Sequence, residues 1–260
     1  MIFFEPSAGL NSRNPVILYH TKTKNRLGGL HWHEHIEMLF CIDGEGIVAV
    51  DTHTVDFKKG MLVVANPGHL HYVISKGYLE YYCFKVSKEF LSESGLVPGK
   101  FEFCECIEDE NLYGYFETVE KEYLEKCEVS LRAATLTLIA YLYKNYQRPV
   151  QEDTYVNENI KIGIKYIREH YKEKITLDEV AAAAGFSKFY FSKLFKEHTK
   201  ITVFDYLRQL RCEEARKLLE TTNLSISDIA LECGFEDIAY FSNVFKNECG
   251  LSPSQTRKNL

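Results

Sequence analysis

The chain is 260 residues long, 45% hydrophobic and 26% charged, with a formal net charge of −6. This length suits one large domain or two domains of typical size, and the apolar content is enough to fill real cores. The chain has no run near the roughly 18 apolar residues of a membrane span, its start has no export signal, and its eight cysteines are scattered, so we expect a cytoplasmic protein with reduced thiols and no membrane partner.

The first hundred residues predict a β domain. Runs rich in Val, Ile, Phe and Tyr occur at residues 16–19, 37–42, 46–50, 61–65 and 79–86. Gly-containing segments that are typical of turns separate several of them, at residues 43–46, 59–60 and 67–68. We therefore expect an antiparallel β-barrel or jelly roll over residues 1–100.

A group of histidines marks a candidate site in this β domain. His31, His33 and Glu37 share one face if their segment is a strand, and His35 has the same parity. His71 follows a predicted turn and falls on a candidate opposing strand. Imidazole and carboxylate ligands suit Fe, Mn, Ni or Zn. The same side chains could instead hydrogen-bond an effector or pack as satisfied polar groups.

Beyond residue 100 the pattern changes to helix. Apolar residues recur at spacings of three and four over residues 112–127 and 129–146. Within the segment 101–150, these two helices either form a dimer interface or cover an edge of the barrel. Residues 151–157 are polar and lack periodicity, which predicts a linker.

The segment 158–260 contains one pattern twice, at residues 176–197 and 225–248. Each copy opens with a hydroxyl residue followed three positions later by an acid, which suits a helix N-cap. Each then reaches a glycine, Gly185 or Gly234, that can end one helix in the left-handed conformation and let another begin. We predict two helix-turn-helix units. An amphipathic helix at 202–221, nearly 30 Å long, would join them.

The second helix of each unit has one apolar face and one outward face. Lys and Asn can bond base edges in the major groove, and small or aromatic side chains can touch thymine methyl groups. The outward candidates for DNA binding are Lys188, Phe189, Ser192, Lys193 and Lys196 in the first unit, and Ala239, Tyr240, Asn243 and Lys246 in the second. Alternatively, the two units are repeats of a helical solenoid with a solvated face, although solenoids generally need three or more units.

The charge distribution limits how such a domain would bind DNA. Residues 158–260 hold 16 Lys and Arg against 15 Asp and Glu, so the acidic excess lies upstream. We therefore expect DNA affinity to depend on the local placement of lysines, to be modest and salt-sensitive, and to benefit from dimerisation.

With these motifs, the tail resembles the DNA-binding domain of AraC-type (AraC/XylS family) bacterial transcription regulators. The similarity spans residues 160–257 and includes Leu207-x3-Arg211, Ile229-Ala230-x3-Gly234-Phe235, Tyr240-Phe241-Ser242-x2-Phe245-Lys246 and Gly250-Leu251-Ser252-Pro253. The resemblance implies that bases are read by Phe189, Ser192, Lys193, Ala239 and Asn243. It departs from the family at Lys200, where a glycine is usual, at Thr202 and at Thr256.

The histidine group, with Gly44, Gly60 and Pro67, resembles the cupin signature. In metal-binding cupins, the positions of His31, His33, Glu37 and His71 hold a divalent transition metal. AraC-type regulators often keep a cupin-like barrel without its metal, so no cofactor is firmly implied.

The sequence thus predicts an α+β protein with an N-terminal antiparallel barrel of cupin or jelly-roll type, flanking helices, and a C-terminal all-α domain of two helix-turn-helix units. The resemblance implies a transcriptional regulator, not an enzyme, in which the barrel senses a small-molecule effector and modulates promoter binding. Sugars are one effector class of this family. The expected partners are double-stranded promoter DNA, a second copy in a homodimer and, for an activator, RNA polymerase. The alternative is a metal-binding cupin, either a sensor or an enzyme, fused to a DNA-binding domain.

Overall fold

The computed structural model describes residues 10–24, 29–150 and 155–258. The chain divides into two compact units, Ile2–Glu152 and Asp153–Leu260. Antiparallel strands dominate the first unit and helices make up the second, so the predicted α+β class is confirmed. Within the described residues, no helix is both long enough and apolar enough to cross a membrane.

The first unit is built on a six-stranded antiparallel sheet with the order β1-β5-β2-β4-β7, in which β3 pairs with the second half of β2. A short pair, β6 and β8, and three helices complete the unit. The elements are β1 (Val16–Lys24), β2 (Ile36–Val50), β3 (His53–Lys58), β4 (Met61–Ala65), β5 (His71–Val86), α1 (Lys88–Glu93), β6 (Glu102–Phe103), β7 (Cys106–Glu108), α2 (Leu112–Glu125), α3 (Glu128–Tyr146) and β8 (Gln147–Arg148).

The prediction of a turn at residues 43–46 was wrong. These residues lie inside the single long strand β2, where its pairing with β5 shifts register twice. Gly44 has a φ of 82°, and a Cβ placed on it would lie 2.2 Å from the carbonyl oxygen of Tyr78. The glycine is therefore needed for a bulge against a closely approaching strand, not for a chain reversal.

The two faces of this sheet bury different clusters, as the alternation of side chains along a strand requires. Met38 and Phe40 of β2 face a core that includes Phe116 of α2 and Leu138 of α3. The ring of Phe40 stacks on that of Phe116 at 4.6 Å between centroids. The two predicted helices therefore cover one face of the sheet. Leu39 and its neighbours Cys41, Val48, Phe57 and Val63 form the core of the opposite face.

The second unit consists of seven helices within the described part of the chain. They are α4 (Tyr155–His170), α5 (Leu177–Ala183), α6 (Lys188–Thr199), α7 (Val203–Thr221), α8 (Ile226–Glu232), α9 (Ile238–Cys249) and α10 (Pro253–Lys258). Helix α4 begins inside the segment predicted as a linker, and residues 151–154 of that segment lie outside the described residues. Helix α7 packs against α6, α8, α9 and α10.

Both helix-turn-helix units have the predicted local chemistry. Thr176 and Glu179 form a reciprocal capping box at the start of α5, and the Ser225 hydroxyl accepts a hydrogen bond from the backbone N–H of Asp228 at 3.1 Å. Gly185 and Gly234 follow α5 and α8 with φ values of 72° and 82°. These left-handed glycines end the first helix of each unit and allow the second to begin a few residues later.

Candidate functional site

The outward face of α6 presents the first group of predicted DNA-binding residues. Lys188, Phe189, Lys193 and Lys196 are exposed and Ser192 is half-buried. Phe189 is 84% exposed, which is unusual for a large aromatic side chain. The opposite face holds Phe191, Leu194 and Phe195, which are buried. The domain core therefore fixes α6 while its polar face stays accessible.

Helix α9 repeats this arrangement. Ala239, Tyr240, Asn243 and Lys246 are exposed, and the opposite face is anchored by buried phenylalanines at positions 241 and 245. The side chain of Asp237 caps the helix by accepting a hydrogen bond from the backbone N–H of Tyr240 at 2.8 Å. All the sequence-predicted residues of both helices thus lie on accessible faces.

The outward faces of α6 and α9, which we call the candidate recognition helices, differ in charge. In α6, Lys188 pairs with Asp178 at 2.9 Å and Lys193 approaches Glu197 at 3.8 Å. Exposed pairs of this kind contribute about 0–1 kcal/mol, so both lysines can exchange their partners for phosphate or base atoms at low cost. Helix α9 carries Lys246 and is preceded by the acidic residues Glu236 and Asp237. The outward face of α6 therefore carries more positive charge than that of α9.

Three basic residues near Tyr240 were not among the predicted DNA-binding residues. Lys172, Lys174 and Arg211 line one cavity together with Phe235 and Tyr240. Arg211 donates to the carbonyl oxygens of residues 171 and 173 at 2.7 and 2.8 Å, and its guanidinium lies 5.7 Å from the Phe235 ring centroid. Arg211 therefore clamps the loop after α4, whereas the two lysines add positive charge beside α9. Their loop has no periodicity that would have marked them.

In the first unit, the structure brings together four of the predicted barrel residues. The donor atoms of His31, His33, Glu37 and His71 all lie within 4.8 Å of one another. Glu37 Oε2 is 2.8 Å from the Nε2 atom of His33, 3.4 Å from that of His71 and 3.6 Å from that of His31. All except His31 are almost fully buried. We refer to these four residues as the histidine cluster.

Backbone carbonyl groups orient the three imidazoles. The Nδ1 atoms of His31, His33 and His71 bond the carbonyl oxygens of residues 29, 35 and 69 at 3.0, 3.1 and 2.8 Å. A carbonyl oxygen can only accept, so each Nδ1 donates its proton there and each ring turns its Nε2 atom towards Glu37. Burial and the neighbouring His71 lower the pKa of His31 to about 4, which keeps this ring neutral at physiological pH.

The structure does not bring His35 into this cluster. The chain bends at residues 34–35 and β2 begins only at Ile36, so strand parity does not extend through His35. Its Nδ1 atom instead accepts a hydrogen bond from the backbone N–H of Lys88 at 3.3 Å. Burial, with a contribution from His33, lowers the pKa of this imidazole. We therefore exclude His35 from the candidate site.

Two further residues complete the site and were missed. Lys85 pairs in register with Glu37 across β5 and β2, is buried, and places Nζ 3.2 Å from Glu37 Oε2. The thiol of Cys83 donates to Oε1 of the same carboxylate at 3.2 Å. Burial alone would raise the pKa of Glu37, but Lys85, His71 and the imidazole hydrogen bonds outweigh burial and hold that pKa well below its usual range. The sequence feature that could have identified Lys85 is a lysine within an otherwise apolar strand.

Comparison with protein families agrees with both units. A model of the helix-turn-helix domain matches residues 180–259, and a model of the cupin domain matches residues 20–84. The first of these matches covers both α6 and α9. The second covers β2, β3 and β4 and parts of β1 and β5, including Glu37, His71 and the segment between them.

Individual relatives agree as well. The uncharacterised HTH-type transcriptional regulator YdeC of Bacillus subtilis is 23% identical over 94% of this chain and 92% of its own length. The HTH-type transcriptional activator RhaR of Escherichia coli K12 is 44% identical, but over only 33% of this chain and 30% of RhaR. The crystal structure of ToxT from Vibrio cholerae O395 matches 94% of this chain and 97% of its own with a TM-score of 0.52 at 12% identity, which shows a shared fold.

The duplicated helix-turn-helix geometry, the cupin match and these relatives lead to one conclusion. The chain carries a cupin domain followed by an AraC-type helix-turn-helix domain, and it is similar to HTH-type transcriptional regulators.

Proposed function

We propose that this protein is a cytoplasmic regulator that binds promoter DNA through α6 and α9 and whose DNA affinity is controlled by a small ligand bound at the histidine cluster. The observation that supports the DNA-binding part most directly is the pair of exposed polar faces on two helices whose opposite faces are buried. A homodimer, with α2 and α3 as candidate interface helices, would raise affinity for a two-part site. Contact with RNA polymerase is expected if the protein activates transcription.

The chemistry of the exposed residues suggests which of them contact bases and which contact phosphates. Lys193 can donate to guanine O6 and N7, and Asn243 can bond adenine through N6 and N7. Phe189 and Ala239 offer apolar contact to thymine methyl groups, and Ser192 can bond several bases. Lys188, Lys196, Tyr240 and Lys246 lie on the same faces and would hold backbone phosphates.

Single substitutions test this assignment. We expect Lys193→Ala and Asn243→Ala each to weaken specific binding by about 1–3 kcal/mol and to relax preference at one base position. Lys165→Ala on α4, an exposed lysine outside both recognition helices, is the matched control and should bind normally. Binding is measured by fluorescence anisotropy on a duplex selected from a random library and on single-base variants of it.

The base-reading role would be refuted if Lys193→Ala lost the same free energy on every duplex. Such uniform loss, with a shallower salt dependence, would place Lys193 on phosphate alone. Unchanged binding by both variants would refute the proposal for the two helices.

The histidine cluster is the proposed ligand site of the barrel. Buried polar side chains, a charged pair and partial access through His31 give it groups that can orient a small molecule. A role in binding, with no catalysis, is supported by the similarity to transcriptional regulators.

A divalent transition metal is the second candidate ligand, and a specific observation favours it. Three Nε2 atoms and one carboxylate converge, which is the donor set of many transition-metal sites. The Nδ1 bonds to backbone carbonyls are also the outer hydrogen bonds that metal-bound imidazoles usually make.

Elemental analysis separates the two candidates. If the barrel is a metal site, untagged protein purified without chelator should contain about one equivalent of metal, and the double variant His31→Gln/His33→Gln should lose it. Absence of metal from both preparations would leave an organic effector, to be sought by thermal-shift screening.

A further inference from the structure

We infer that Lys85 is the resident cation of the histidine cluster and competes with a divalent metal ion for Glu37, so that Lys85 sets the metal affinity of the barrel. This inference rests on the barrel part of the proposed function and adds a residue that controls what the site accepts.

The buried carboxylate of the cluster requires a positive partner. Glu37 is 2% exposed, and its Oε2 atom lies 2.8–3.6 Å from the Nε2 atoms of three imidazoles. A buried carboxylate is costly without a compensating charge, because burial removes the water that would otherwise stabilise it. A cation near Glu37 Oε2 offsets this cost.

Lys85 supplies that cation from the chain itself. Its Cα pairs with that of Glu37 on adjacent antiparallel strands, so both side chains point to the same face of the sheet. Both side chains are more than 90% buried, and Lys85 Nζ lies 3.2 Å from Glu37 Oε2. This oxygen is also the one that faces the three imidazoles.

The same oxygen would be needed by a metal ion. Ligands about 2.1 Å from an ion, at tetrahedral or octahedral angles, lie about 3.0–3.4 Å from one another. The separations between Glu37 Oε2 and the three Nε2 atoms, 2.8, 3.4 and 3.6 Å, bracket that range. These three of the six ligand separations are therefore compatible with an ion that would use Glu37 as a ligand, and all four donor atoms lie within 4.8 Å of one another.

An ammonium and a divalent ion cannot both hold Glu37 without repelling each other at close range in a buried site. Metal entry therefore breaks the Lys85–Glu37 ion pair. The free energy lost with that pair makes metal binding less favourable by the same amount. Zn²⁺ and Ni²⁺, which imidazole ligands favour, can overcome this penalty more readily than Mg²⁺ or Ca²⁺, which prefer oxygen ligands.

Calorimetric titration of the full chain with Zn²⁺ tests the inference. The proteins are wild type, Lys85→Met, and Lys76→Met as a matched control for an exposed lysine on the same strand. The double variant His31→Gln/His33→Gln measures background binding by cysteines. We expect Lys85→Met to bind one equivalent above background about tenfold more tightly than wild type, and Lys76→Met to match wild type.

Thermal melting gives a second readout. Without metal, Lys85→Met should melt below wild type, because Glu37 is left buried without its counter-charge. Saturating Zn²⁺ should raise its Tm by more than it raises the wild-type Tm. If Lys85→Met does not fold, Lys85→Gln, which removes the charge but keeps polar atoms, replaces it in both measurements.

Equal Zn²⁺ affinity in wild type and in the Lys85 variants would overturn the inference, as would no binding above background in any of them. Fluorescence anisotropy of the same preparations with the selected duplex measures DNA binding separately. It therefore distinguishes failure of the role of Lys85 from failure of the proposed DNA-binding function. Intact DNA binding with unaltered metal affinity would reject only the role of Lys85. Absence of specific DNA binding by the wild-type protein would reject the proposal that it is a DNA-binding regulator.

Discussion

The carboxylate of Asp109 connects parts of the first unit that are distant in sequence. Asp109, just after β7, accepts hydrogen bonds from the hydroxyl groups of Tyr141 and Tyr146 on α3 at 2.5 and 2.8 Å and from the backbone N–H of Asn111. The Tyr141 bond, with these others, lowers the pKa of Asp109 to about 2. The end of the sheet is thereby tied to the long helix through one ionised side chain.

A lowered carboxyl pKa predicts a particular dependence of stability on pH. The contribution of Asp109 is complete above the unfolded pKa near 4 and is lost as pH falls through the folded value of about 2. We expect Asp109→Asn to lower stability at pH 7 and to flatten the loss of stability between about pH 4 and pH 2. The fluorescence of Trp32, the single tryptophan, follows urea unfolding of this unit.

Asp56→Asn on β3, where the carboxylate is 88% exposed, is the matched control and should keep the wild-type pH dependence. If Asp109→Asn showed the same slope as wild type from pH 4 to pH 2, the tyrosine bonds would not stabilise the charged form.

At the scale of elements, the two recognition helices end in the same way with different residues. Lys200 follows α6 with a φ of 59°, and Gly250 follows α9 with a φ of 79°. Each donates its backbone N–H to the carbonyl oxygen four residues earlier. A side chain in this left-handed conformation carries a steric cost that glycine avoids. The departure at Lys200 therefore leaves the helical geometry intact, and we expect it to lower stability.

Reciprocal substitutions test this cost. We expect Lys200→Gly to stabilise the second unit, and Gly250→Ala to destabilise it, each by about 1 kcal/mol. A Cβ at Gly250 would meet no atom within 4 Å, so backbone strain alone is measured there. Urea unfolding followed by far-ultraviolet circular dichroism gives both values. Destabilisation by Lys200→Gly would show that its side-chain contacts outweigh the strain.

Elements differ in how far their sequences predict them. Helices α2, α3, α6, α7 and α9 were predictable, because their apolar spacing and caps are local signals. Strand β3 and the first half of β5 were not, because their polar residues pair through contacts distant in sequence. The same limit hid Lys85, whose position beside Glu37 depends on the register of β5 against β2. The error at His35 has a local cause. The chain bends at residues 34–35, so the alternation of side chains along a strand does not apply to His35.

At the scale of the whole molecule, the histidine cluster and the recognition helices belong to different compact units. Control of DNA binding by a barrel ligand therefore requires a coupling free energy between two separate sites, typically about 1–3 kcal/mol. The acidic excess also lies outside residues 158–260, so we expect DNA attraction to depend on the few lysines of α6 and near α9. We expect affinity to fall with salt by about 0.9 log units per log unit of salt concentration for each phosphate that is neutralised.

The most direct test of the central claim is a hydroxyl-radical footprint of the full chain on a duplex enriched from a random library. Two recognition helices joined by the 19-residue helix α7 predict two protected segments on one face of the duplex, about 10 base pairs apart. Lys193→Ala should weaken one segment and Asn243→Ala the other. Failure to enrich any sequence, or protection without two separated segments, would contradict the proposal that both helix-turn-helix units read DNA.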